Sequence, residues 1–296
     1  MRSSDSSDKQ DGPAKAAGPS PSSERPEPIW VGGDPAEGGE LPVCRGGSRR
    51  PYATDGGALE GSSRRRVPTD PEEIALDDRA LAGLGHGCRG LFITFEGLDG
   101  TGKSTQLEIL ASALRGAGHE VVIAREPGGT PLGEAIRDAL LDPANAGMSP
   151  RAEAFLYTAA RVQLVEEVIR PALEAGRIVL CDRYVDSSLA YQGYGRDLGY
   201  ENIISMNMWA TDGLMPDLTI VLMAPEKVRR RRLSDTPDRL EGAGDDFYRR
   251  VEEGYRRLVA DHPHRMVAVD AGGSVEEVAS RVRRAVEEEL PVEIGV

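Results

Sequence analysis

Leu91-Phe92-Ile93-Thr94-Phe95-Glu96-Gly97-Leu98-Asp99-Gly100-Thr101-Gly102-Lys103-Ser104 decides the fold of this chain. A short apolar run ends in a stretch, Gly97 to Ser104, that fits G-x-x-x-x-G-K-[ST], and a helical pattern follows over Gln106 to Leu114. Strand, glycine-rich loop and helix in that order form a phosphate cradle. The glycines let successive backbone N–H groups curl around a β-phosphate, and the helix presents its positive end. Lys103 reaches the β/γ oxygens and Ser104 can ligate Mg²⁺. The residues expected to hold ATP are Gly97, Leu98, Asp99, Gly100, Thr101, Gly102, Lys103, Ser104 and Thr105. Of the 36 basic residues only Lys9, Lys15, Lys103 and Lys227 are lysine, so a lysine at this spot is not the chain's ordinary choice of cation.

Working outward from the loop, short apolar runs alternate with longer segments of helical period, the pattern of a parallel sheet flanked by helices. Five runs are expected as strands: Leu91 to Glu96, Glu120 to Ala124, Arg177 to Cys181, Leu218 to Met223 and Met266 to Val269. Their Val, Ile and Leu content suits strands buried on both faces. The expected fold class is therefore α/β, a doubly wound five-stranded parallel sheet of the P-loop NTPase type. The clearest helix starts at Ser149-Pro150, an N-cap followed by the favoured first-turn proline, and runs to about Ala175. Pro171 is expected to kink it near Arg170, because proline removes a backbone donor.

Residues 1–89 read differently. The first fifty carry eight Ser, eight Gly and seven Pro, and such a stretch cannot bury enough apolar surface to offset the entropy of ordering it. It is expected to be a disordered extension, either a partner-binding tail or a stretch upstream of the true start, and residues 90–296 are expected to form one domain. A net charge of −13 argues against nucleic-acid or membrane surfaces as general partners. Cys44, Cys88 and Cys181 have no metal-ligand spacing and read as reduced thiols. With no signal-peptide core and no membrane-length apolar run, the expected location is the cytoplasm.

Asp182-Arg183-Tyr184 follows the third run, at the carboxyl edge of the sheet where ligands of open α/β folds gather. Asp182 can organise Mg²⁺ and Arg183 can clamp phosphate with its planar fork. A plain salt-bridged pair at a strand end is the alternative.

Phe95-Glu96-Gly97-Leu98-Asp99-Gly100, Arg125-Glu126-Pro127-Gly128-Gly129-Thr130 and the segment Asp182-Arg183-Tyr184-Val185-Asp186-Ser187-Ser188-Leu189-Ala190-Tyr191-Gln192-Gly193 together resemble the bacterial thymidylate kinases. The resemblance covers essentially Leu91 to the C-terminus, and the third segment is its most specific part. It implies transfer of the ATP γ-phosphoryl group to dTMP, with Mg²⁺ as cofactor, in a homodimer. It further implies that Tyr157 stacks on the base and Arg161 donates to a pyrimidine carbonyl. Asp99 and Glu126 would face the deoxyribose and acceptor, Arg137 would join Arg183 around the acceptor phosphate, and Ser188 and Gln192 would hydrogen-bond the base. Tyr191 would crowd a 2′-hydroxyl. The Glu126–Pro127 peptide is expected to be cis.

Because Gly100 and Thr101 fill the loop's interior with no cation, the family pattern requires the catalytic charge from a small lid at residues 229–245. Arg231 and Arg239 are the arginines expected to supply it, and a charged, solvated helix is the alternative. Asp270 to Ser274 either borders the adenine or forms a plain strand-to-helix turn. A kinase for another nucleotide, and a module that binds ATP without catalysis, are the remaining readings. A regulatory GTPase lacks its Asn-Lys-x-Asp guanine reader here.

Overall fold

A computed structural model describes residues 90–232 and 239–294. The expected extension, with Cys44 and Cys88, lies outside the described residues, and so do residues 233–238 of the expected lid. Five strands form one parallel sheet in the order β2-β3-β1-β4-β5, where β1 is Phe92–Glu96, β2 Val121–Arg125, β3 Ile178–Asp182, β4 Leu218–Met223 and β5 Met266–Asp270. The chain starts in the middle of the sheet and winds both ways, as expected. Strand bounds differ from the sequence reading by one residue at most ends, because pairing continues as far as Arg125 beside Asp182 and Met223 beside Asp270.

The pleat of β1 sorts its side chains between two cores. Phe92 joins a cluster with Val179, Tyr184, Leu189, Val221 and Tyr255, whereas Ile93 and Phe95 face Leu107, Leu114, Leu180 and Ile220 on the other side. The second side is covered by α1 (Lys103–Gly116) and α9 (Val275–Glu289). Between these lie α2 (Pro131–Leu141), α3 (Pro150–Leu164), α4 (Arg170–Glu174), α5 (Val185–Ser188), α6 (Tyr200–Ala210), α7 (Glu226–Arg230) and α8 (Asp245–Asp261).

The long helix begins where it was read, with the Ser149 side chain accepting from the Ala152 amide and Pro150 in the first turn. It is interrupted next to Arg170, as expected. Val165–Ile169 forms a wide π turn that separates α3 from α4. Pro171 has no N–H and its ring crowds the preceding carbonyls, so the chain widens over the turn before it.

The base of the first core is polar. Asp186 pairs with Arg265 at 2.8 Å, both side chains buried, and Thr94 and Thr219 share a 2.8 Å hydrogen bond across β1 and β4. Beside them His262 meets the Tyr200 hydroxyl at 3.2 Å. Burial, with the neighbouring Arg265 charge, lowers the His262 pKa to about 4. A histidine in the unfolded chain titrates near ~6.5, so between those values the unfolded state binds the extra proton and stability falls as pH drops. Urea melts at pH 7 and pH 4.5 should therefore show a smaller acid-induced loss for His262→Gln than for the wild type.

Candidate active site

The phosphate loop turns away from β1 through residues only glycine tolerates. Gly97 and Gly100 have φ of 126° and 78°. A Cβ at these positions would lie 2.4 Å from the Leu222 carbonyl oxygen and 2.6 Å from that of Arg229. Gly102 caps α1 with φ 96° and no side-chain acceptor, so the first-turn amides remain available to an anion. Lys103 folds back over the loop, its Nζ donating to the Gly97 and Leu98 carbonyls at 3.2 Å each. Burial, then the Arg183 charge, lowers its pKa. Thr101 donates to the Leu98 carbonyl at 2.8 Å and stiffens the loop from within.

Across from the loop, β3 delivers Asp182 and Arg183. The Ser104 hydroxyl donates to Asp182 Oδ2 at 2.7 Å, so two hard oxygen ligands stand side by side at the head of α1. Arg183 takes a left-handed backbone, φ 74°. Its Nη2 reaches Asp99 Oδ1 at 2.6 Å and the Tyr191 hydroxyl at 3.3 Å, and its Nη1 donates to Ser187 Oγ at 3.0 Å. Burial works to raise the Asp99 pKa, but the Arg183 and Lys103 charges win and hold it at about 2. The loop and the third strand are thus joined through a carboxylate that stays ionised.

A second cavity opens beside this pair, with a volume of about 90 Å³. Asp99, Glu126, Arg137, Tyr157, Arg183, Ser188, Tyr191 and Gln192, eight of the residues expected to bind the acceptor, all line it. The Glu126–Pro127 peptide beside it is cis, as expected. Arg137 donates to the Pro127 carbonyl at 3.0 Å, which turns its fork toward the same wall.

Arg161 stands apart. It is fully buried, and every nitrogen of its fork is committed. Nε and Nη2 lie 2.8 and 2.6 Å from Glu126 Oε2, Nη1 donates to Ser188 Oγ at 3.1 Å and to Asn207 Oδ1, and Nη2 also donates to the Tyr184 carbonyl. Donation to a base carbonyl therefore requires one of these bonds to be exchanged. As it stands, Arg161 holds Glu126 and Ser188 in the wall of the cavity. Burial raises the Glu126 pKa against the pull of Arg161.

Two lid arginines were expected to supply the catalytic charge. Arg239 has its partners on α2 and α3. It pairs with the buried carboxylate of Glu153 at 2.7 Å and donates from Nε to the Leu140 carbonyl at 2.6 Å. A buried carboxylate needs a cationic partner, and this one captures Arg239. Arg231 is exposed at the end of α7. Arg232 reaches the loop with its side chain, Nη1 lying 3.4 and 3.5 Å from the Gly100 and Thr101 carbonyl oxygens. In a run of four arginines nothing in the sequence distinguishes it. Glu153 was likewise unread, because one Glu in the first turn of a helix carries no signal of its partners. Asp270 to Ser274 links β5 to α9, with the Gly272 amide on Asp270 and a Ser274–Glu277 capping box opening the helix.

Comparison with known proteins points to one family. A family model described as thymidylate kinase matches residues 95–282. A thymidylate kinase of Symbiobacterium thermophilum is 50% identical over 202 residues, covering 68% of this chain and 94% of that protein. One from Exiguobacterium sp. is 48% identical over 195 residues, 65% of this chain and 92% of the relative. Among solved structures, the thymidylate kinase of Ehrlichia chaffeensis superposes with a TM-score of 0.56 at 32% identity, covering 67% of this chain and 99% of that one.

Proposed function

The chain belongs to the thymidylate kinase family and transfers the γ-phosphoryl group of ATP to dTMP, giving dTDP and ADP; from that premise we propose how its own residues divide the work. The acceptor phosphate oxygen is already anionic, so the reaction needs alignment and charge neutralisation more than a general base. Lys103 and the amides of Gly97 to Thr105 hold the donor phosphates. Arg183 and Arg137 hold the acceptor phosphate between them.

The observation that carries this division is the 2.6 Å Arg183–Asp99 pair, which ties the acceptor clamp to the donor loop. When acceptor phosphate enters, it competes with Asp99 for Arg183, and Asp99 is released toward the sugar. Tyr191, whose hydroxyl lies 3.4 Å from Asp99 Oδ2, occupies the side where a ribose 2′-hydroxyl would sit. Tyr157 stacks on the base, and Gln192 and Ser188 read its edge. Arg161 serves that edge through Ser188 and Glu126, and reaches the base only by releasing one of them.

Mg²⁺ fits the pair of Ser104 and Asp182, since a hydroxyl and a carboxylate 2.7 Å apart are hard oxygen donors of the kind this ion takes together with phosphate oxygens and water. When bound, the ion neutralises phosphate charge. Residues 90–296 form the catalytic domain in this reading, and the cytoplasm is its setting. No described helix is long and apolar enough to cross a membrane. Homodimerisation is supported by Phe155 on α3 and Trp209 on α6, 63% and 76% exposed on two helices that pack together. A second copy would cover them.

Within the lid, Arg232 is the catalytic cation, with Arg231 beside it, and Arg239 belongs to the acceptor wall. Arg232→Ala should lower kcat at least tenfold, within the roughly 10³–10⁵ range of arginine fingers at its largest, while Arg239→Ala should act mainly on KM for dTMP. A kcat loss confined to Arg231→Ala would move the role to that neighbour. Rates with dTMP, dUMP, UMP and AMP as acceptors under MgATP test the sugar and base assignments together. Sedimentation of Phe155→Glu/Trp209→Glu should shift toward the 31.8 kDa monomer; an unchanged larger species rejects this interface.

A further inference from the structure

Glu153 lies in the first turn of α3, away from the phosphates, and its side chain is completely buried. Four donors converge on it. Arg196 binds both oxygens, Nε to Oε1 at 3.2 Å and Nη2 to Oε2 at 3.0 Å. Arg239 Nη1 meets Oε2 at 2.7 Å. Gln192 donates its amide nitrogen to Oε1 at 2.9 Å. Burial alone would raise the carboxyl pKa, but the bonds from Arg196, Gln192 and Arg239 outweigh it and hold Glu153 below its ordinary value. An ionised carboxylate has acceptor sites only.

That fact fixes the direction of the Gln192 amide. Bonded to a group that can only accept, Gln192 must point its nitrogen at Glu153. Its remaining polar groups are the carbonyl oxygen and the second amide N–H, and Gln192 lines the acceptor cavity together with Tyr157. The carbonyl acceptor is therefore held in one place and cannot change places with the amide nitrogen. Thymine and uracil carry a hydrogen on ring nitrogen N3 and satisfy that acceptor. Cytosine has a bare, accepting N3 and leaves two acceptors facing each other.

We propose that Glu153 is the positioning residue for base choice: by taking the Gln192 amide nitrogen it presents the Gln192 carbonyl to the acceptor pocket and selects pyrimidines with a protonated N3 over cytosine. Arg239 keeps the carboxylate in place, and its own amide donates to the carbonyl of Leu141, which lines the same cavity. The inference rests on the reading above that Gln192 contacts the base.

Glu153→Gln tests it with little change of shape. A glutamine at 153 can donate as well as accept, so the Gln192 amide is free to flip. The ratio of kcat/KM for dTMP over dCMP should fall about ten- to a hundredfold, the range expected for one buried polar group left unmatched. The loss should appear in KM for dTMP with KM for ATP unchanged. Arg196→Met, which leaves the Glu153–Gln192 bond in place, should keep the wild-type ratio even where it lowers thermal stability. On the wild-type enzyme, dTMP methylated at N3 should be at least tenfold worse than dTMP, which tests the orientation without any variant. An unchanged dTMP/dCMP ratio in Glu153→Gln, or efficient use of N3-methyl dTMP, overturns the proposal. Gln192→Leu separates the two layers. If it weakens dTMP while Glu153→Gln leaves the ratio alone, only the orienting role fails; if it leaves dTMP untouched, the base-contact reading of Gln192 fails.

Discussion

One buried carboxylate, that of Glu96 at the end of β1, holds the active-site segments in register. It accepts from the Tyr184 amide at 2.7 Å, the Ser187 amide at 3.2 Å, the Ser187 hydroxyl at 2.5 Å and the Tyr255 hydroxyl at 2.8 Å. Glu96 is followed directly by the phosphate loop, Tyr184 directly follows Arg183, and Tyr255 belongs to α8. Burial and the nearby Asp186 push its pKa up to about 7, against Arg183 and the two hydroxyl donors. Without those donors a carboxyl in this position would be a buried, unpaired group. With them, it joins the donor loop, the acceptor clamp and a helix from the far end of the chain.

The consequence shows at Arg183. Its own amide donates to the Phe95 carbonyl at 2.9 Å, and the next amide is held by Glu96. Pinned on both sides to β1, the residue between adopts a left-handed backbone, at a cost of about 1–3 kcal/mol. That conformation aims the guanidinium across the loop at Asp99 instead of along the strand. The strain is tolerated because several hydrogen bonds over-determine it, and it is spent where phosphate geometry matters.

Much of this was legible in the sequence because strongly local signals carried it. The loop is contiguous, its glycines are required by backbone geometry at Gly97 and Gly100, and the five apolar runs are long enough to mark a parallel sheet. Ser149-Pro150 announces α3 through capping chemistry that involves only neighbours. What escaped depends on contacts between distant residues. Arg161 looks like a free cation in the sequence, yet Glu126, Ser188, Asn207 and Tyr184 surround it only once four elements have met. Arg239 and Arg232 are equivalent as letters; Glu153 draws one away and the loop carbonyls face the other. The π turn at Val165–Ile169 is set by Pro171, but where the helix yields to it depends on packing on both sides.

These captured charges also explain how the site avoids standing unpaired before substrates arrive. Lys103 leans on loop carbonyls, Arg183 on Asp99, and Ser104 on Asp182, so each group proposed to meet phosphate or metal has a protein partner of opposite or complementary character. A ligand oxygen replaces such a partner at little net cost in hydrogen bonds, and the gain lies in charge neutralised in a dry cleft. The end proposed for the base follows the opposite logic. There Glu153 and Arg161 are saturated by protein groups and present Gln192, Ser188 and Glu126 in fixed attitudes, because recognition of an uncharged edge depends on donors and acceptors that do not rearrange. In the proposed reading one end exchanges its partners and the other keeps them, and Asp99, bonded to Arg183, sits at the boundary between the two.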